Sequence, residues 1–185
     1  LMWIKLASLV CFFNGFVVLL GDLILGSELV VSVSRVIEAS ILIPLLWSRW
    51  RQTLGEAFQL LLSLLILVLV FSGVCLGLMP LSASSMFVPG TGIPLGILFD
   101  LTLSLLFGAC AVRLGQVVQV RHSSGDTHYL KLYFVLECVG HVSPVLVGNL
   151  SVVFLVLAHV LLGLFFTSWA RSIAGRNEGT DYESP

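Results

Sequence analysis

Residues 57–78 read AFQLLLSLLILVLVFSGVCLGL, an apolar run without one charged side chain. As a helix rising 1.5 Å per residue, a run of this length covers about 30 Å, the thickness of the hydrocarbon core of a bilayer. It shows neither the alternation of a half-buried strand nor the polar stripe of a helix on a water-soluble core. The run therefore reads as a membrane-spanning helix. The segment after it, MPLSASSMFVPGTG at 79–92, is rich in Pro, Ser and Gly and reads as a connection.

Outward from this run, similar windows lie at 3–22, 28–47, 93–112, 129–147 and 149–169. The chain is thus expected to be an all-α, polytopic integral membrane protein of about six transmembrane helices. They form three antiparallel hairpins, with both termini on the positive-inside face. The turns at 22–27 and 144–149 are very short, and a four-span form with a re-entrant or interfacial hairpin is the competing arrangement. Residues 1–170 form a single transmembrane domain, and 171–185 a polar tail with Glu178, Asp181 and Glu183. The first run is too long for the core of a cleavable signal and reads as a permanent span. Composition agrees: 58% of residues are hydrophobic and 10% charged, and the mean hydropathy is +1.08, which calls for lipid as solvent.

The 9 cations nearly balance the 10 acids, a total that gives no sign of a nucleic-acid partner. Their placement is uneven. With both termini on one side, Lys5, Arg49, Arg51, Arg113, Arg121, Lys131, Arg171 and Arg176 all fall there, and only Arg35 does not. Trp3, Trp47, Trp50 and Trp169, with Tyr129 and Tyr133, map to the same boundary, where amphipathic rings prefer to sit. That face is expected to be cytoplasmic, or the matrix or stroma of an organelle, and able to touch anionic lipid. Cys11, Cys75, Cys110 and Cys138 lie inside apolar runs without paired spacing and read as packing residues.

Lipid tails are as apolar as leucine, so helices associate through small residues and polar contacts. Gly73 with Gly77 and Gly92 with Gly96 are small-xxx-small pairs at similar depth, and they predict close packing of the third span on the fourth, with Pro80, Pro89 and Pro94 shaping the connection.

The candidate site residues are ionisable groups at membrane depth: Arg35, Glu38, Asp100, Glu137, His141 and His159. A charge at the bilayer centre costs about 3 kcal/mol, so each needs a partner, a proton or water. Arg35 has three candidate partners, Glu38 on its own helix face, Asp100 and Asn14. A clasp that fixes helix register is the first reading, ahead of an ion path or a contact with another subunit. Three acids against one buried cation leave at least one acid to hold a proton or to meet a cation from outside the chain. His141 and His159 sit at similar depth on antiparallel helices and can in principle hold a b-type haem, although hydrogen-bonded packing explains the same pair. Arg121, His122, Asp126 and His128 read as a hydrated basic loop, and no metal site is expected. The glycines of 89–96 neither follow a strand nor include a phosphate-loop lysine, and no HExxH, GxSxG or paired-cysteine element occurs, so no enzyme is nominated.

The first functional expectation is a non-catalytic accessory subunit of a larger membrane complex, with other membrane subunits and bound phospholipid as partners. An organellar, mitochondrial inner membrane is the favoured location. The alternative is a small proton-coupled transporter or channel that uses the buried acids, and the third is electron transfer through haem b.

Overall fold

The computed structural model describes residues 2–20, 28–47, 50–78, 94–121, 126–146 and 150–178. They are all-helical: α1 (Met2–Leu20), α2 (Glu28–Trp47), α3 (Trp50–Leu78), α4 (Leu95–Arg121), α5 (Asp126–Leu146) and α6 (Leu150–Glu178). Four stretches, Met2–Leu20, Gly55–Cys75, Leu95–Gln116 and Ser151–Ala174, are long and apolar enough to cross a membrane. The protein is by this measure a membrane protein.

Two helices run past the spans expected from the sequence. α3 is broken at Gly55, whose φ of 77° suits a residue without a Cβ, so the straight apolar part begins close to the expected position 57. At the other end, α6 runs on to Glu178, past the boundary drawn at 170, because alanine, arginine and serine continue the helix after the apolar run stops.

Each helix packs on the next in sequence, and α6 returns to α1, which closes the six into a ring. Residue pairs give the directions. Ser8 Oγ donates to the Gly163 carbonyl at 2.9 Å while Asn14 meets His159, so α1 and α6 are antiparallel. On α2 and α3, Ser32 bonds the Gly73 carbonyl and also faces Gly77, whereas Val36 faces Gly73. Gly115 lies under Lys131 and Ser104 donates to the Cys138 carbonyl, which sets α4 against α5. Gly140 lies under Leu155, and Glu137 reaches His159, which does the same for α5 and α6.

Gly73 and Gly77 are therefore used differently from expectation: they admit α2, not α4. Between α3 and α4 the rings of Phe71 and Phe99 meet edge to face at 6.0 Å, which holds the two backbones apart. A Cβ added at Gly96 meets nothing within 4 Å, and Gly92, Pro80 and Pro89 lie outside the described residues. So do Arg49, His122 and the end of the tail with Asp181 and Glu183, together with the side chains of Trp47, Trp50, Arg51, Arg121 and Arg176.

Polarity is arranged opposite to that of a soluble bundle. Leu60, Leu64, Leu67 and Phe71 of α3 and Leu105 and Val112 of α4 point outward, whereas Asn14, Arg35, Glu38, Glu137, His141 and His159 are buried. Lys5, Arg113, Lys131 and Arg171 are exposed, near the ends of their helices.

Candidate functional site

The six ionisable residues singled out in the sequence come together in one cluster inside the ring, joined by Asn14 and Tyr133. Spacing explains the convergence on α5, where Tyr133, Glu137 and His141 lie four residues apart and share one face. Arg35 and Glu38 do the same on α2, and α1, α4 and α6 add Asn14, Asp100 and His159. α3 supplies the apolar wall of Phe58, Leu62, Leu65 and Leu69.

The contacts form a sequence from rim to centre. Asp100 lies about 8 Å from the start of α4, and its side chain is 24% exposed, against 6% for Arg35 and 8% for His141. One of its oxygens, Oδ1, takes both the ion pair with Arg35 Nη2 and a contact from His141 Nδ1 at 3.2 Å. The other nitrogen of that ring, Nε2, faces Glu137 Oε2 at 3.7 Å. Glu137 lies one turn deeper and is fully buried, with Oε1 3.4 Å from His159 Nδ1. Tyr133, a turn deeper again, donates from its hydroxyl to Glu38 Oε1 at 2.5 Å.

Hydrogen bonding fixes the tautomer of His159. Nδ1 lies 2.8 Å from the Leu155 carbonyl, which can only accept, so Nδ1 carries the proton. Nε2 is then an acceptor, and Asn14 Nδ2 donates to it at 2.7 Å and to the Ser34 carbonyl at 3.3 Å. His159 thus uses one ring nitrogen as donor and the other as acceptor in this arrangement. Other atoms are less well served. Both Glu137 oxygens, His141 Nε2, Asn14 Oδ1 and Arg35 Nε and Nη1 are buried without a hydrogen bond. An unmet buried polar group costs about 1–3 kcal/mol, more when charged, so several together call for a partner such as water, a proton or an ion.

Toward the cation-bearing helix ends the cluster is closed by aromatic rings. Phe107 stacks on His141 at 5.6 Å between centroids and meets Tyr133 edge to face at 5.9 Å. Phe134 and Phe58 extend that layer, and Phe165, Phe166 and Trp169 pack on one another beyond it. The part-exposed carboxyl of Asp100 is therefore at the rim of the cluster, and aromatic rings pack at the opposite end.

Of the three candidate partners of Arg35, Asp100 forms the ion pair, and Glu38 accepts from Tyr133. Tyr133, expected at the membrane boundary, is fully buried at the centre. The signal that could have placed it was its register with Glu137 and His141, which competed with the general preference of tyrosine for interfaces.

The fold and this cluster define an α-helical membrane protein with an ionisable interior. No protein family model, curated protein or solved structure matches the chain.

Proposed function

We propose that the chain is a small proton-coupled carrier or channel, crossing the membrane six times with both ends on the cation-rich side. One observation carries this reading: Glu137 is fully buried, lacks a hydrogen bond on either oxygen, and is linked through His141 to the part-exposed Asp100. A carboxyl so placed can take up and release a proton relayed from the rim, the Asp100–His141 step being 3.2 Å and the His141–Glu137 step 3.7 Å, which closes to a hydrogen bond with a shift of several tenths of an ångström. The six-span form is supported by the ring itself. α2 and α5 carry most of the cluster and are 20 and 21 residues long, enough for about 30 Å each.

The accessory-subunit reading, with its mitochondrial inner membrane, neighbouring subunits and bound phospholipid, draws support from the apolar outer faces, which suit helices as well as lipid. It loses the argument from charges that would meet a neighbouring subunit, because Arg35 and the acids are buried inside the ring. Haem fits less well: Glu137 stands 3.7 Å from one histidine ring and 3.4 Å from the other, in the space that a macrocycle ligated by both needs.

The test is flux. Purified protein in proteoliposomes with an internal pH-sensitive dye is expected to carry protons down an imposed gradient, and Glu137→Gln to abolish the signal. Wild-type rates in the variant would remove Glu137 from the path, and silence of the wild-type protein would return the subunit reading to first place.

A further inference from the structure

We propose that Glu38, Glu137 and His159 bind a divalent transition-metal ion, and that this ion is the cargo of the carrier; the cargo assignment rests on the reading of the cluster given above. One donor atom from each of the three residues lies within 4.8 Å of the others, and all three residues are buried. The Glu137 Oε1 to His159 Nδ1 spacing of 3.4 Å already matches two donors each about 2.1 Å from a tetrahedral ion. The Glu38 donor, within 4.8 Å of the other two, has to close by up to about 1.4 Å to complete that shell.

Two independent features point to a ligand there. The first is the set of unpartnered atoms that look into the same space: both oxygens of Glu137, and His141 Nε2, 3.7 Å from one of them on a side chain 8% exposed. The second is charge. Three carboxyl groups, Glu38, Asp100 and Glu137, face one guanidinium, Arg35, so the two acids beyond the ion pair need either protons or a cation, and a single divalent ion that displaces both protons balances them.

The donor set selects the class of ion. Two carboxylates with one or two imidazoles suit zinc, manganese or ferrous iron. Calcium and magnesium require all-oxygen shells of six or more, and cuprous copper prefers sulfur. The supports expected around a metal site are also present. Tyr133 orients Glu38 through its hydroxyl, and Asn14 holds His159 at the nitrogen away from Glu137. Ligation through Nδ1 needs the other tautomer of His159, with Nε2–H donating to Asn14 Oδ1 after a turn of the amide, and a rotation of the ring that takes Nδ1 off the Leu155 carbonyl, 2.8 Å away. Asn14 Oδ1 is left without a partner when no ion is bound.

The purified full chain in mild detergent is titrated with Co2+, a coloured stand-in for Zn2+. The expected result is one Co2+ per chain with the strong visible bands of a four-coordinate site, displaced by Zn2+. Absorption at the cobalt edge is expected to show only nitrogen and oxygen at about 2.0–2.2 Å. Glu137→Gln and Glu38→Gln should remove the bands, and Tyr133→Phe should weaken binding by at least about tenfold. A wild-type chain that takes up neither ion overturns the proposal, as does a shell containing sulfur or bands that persist in both glutamine variants. If those variants do not fold, the edge spectrum of the wild type decides. The carrier reading fails separately. Proton flux that depends on Glu137 in a chain binding no metal leaves the carrier without this cargo, and a bound metal with no flux makes the site structural and overturns the cargo assignment.

Discussion

Arg35 shows how strongly one side chain constrains this interior. Its guanidinium is 6% exposed and its ion-pair partner Asp100 is 24% exposed, so the pair sits where desolvation is large and not complete. Removing one member of such a pair leaves an uncompensated charge, which costs about 3 kcal/mol, whereas exchanging both for apolar residues is often nearly neutral. Arg35→Met is accordingly expected to lower the stability of the detergent-solubilised protein by about that amount, part of it spared by the contact of His141 with Asp100. Arg35→Met with Asp100→Leu should regain most of the loss. Thermal melts of the two single variants and the double variant give the coupling directly, and simple additivity would contradict the pairing. That these groups meet at a common level along their helices was legible in the sequence, because a fixed rise per residue converts position into height. The choice of partner was not. Glu38, Asp100 and Asn14 all lie within reach of Arg35 in depth, and selection among them depends on how each helix is rotated about its axis, a quantity set by packing of the whole ring.

At the level of helices, the glycines separate two kinds of contact. A Cβ built at Gly73 lies 2.9 Å from Val36 Cγ2 and 3.0 Å from the Ser32 carbonyl, and that backbone atom cannot move without shifting α2. Gly73→Ala is expected to destabilise by about 2 kcal/mol through overpacking. At Gly96 nothing lies within 4 Å, so Gly96→Ala should leave stability unchanged or raise it by up to about 1 kcal/mol through helix propensity. Melting temperatures in one detergent compare the two, and equal effects would mean that α3 does not approach α2 as described. The sequence marked Gly73 as a close-packing residue but named the wrong neighbour. α3 is apolar on every side, from Phe58 to Leu78, so no polar stripe shows which way it turns. On α5, by contrast, Tyr133, Glu137 and His141 mark one face, and the inward direction could be read.

For the whole molecule, the contact between the first and last helices decides the topology. In a ring in which each helix runs against its neighbours, the number of helices must be even, or one pair would run parallel. The antiparallel α1 and α6, tied by Ser8 to Gly163 and by Asn14 to His159, meet this condition for six. If all six cross the bilayer, Lys5 and Arg171 emerge on one face, the face that the positive-inside rule makes cytoplasmic or its organellar equivalent. The connection 79–93 then lies on the other. In a cysteine-free background, single variants Lys5→Cys, Ser172→Cys and Ser84→Cys in sealed right-side-out vesicles test this with a membrane-impermeant maleimide. Ser84→Cys is expected to react before lysis, and Lys5→Cys and Ser172→Cys only after it. Reaction of Lys5→Cys and Ser172→Cys from opposite sides would break the ring. It would also separate His159 from Asn14 and Glu137 in depth, and with them the site that the three helices assemble.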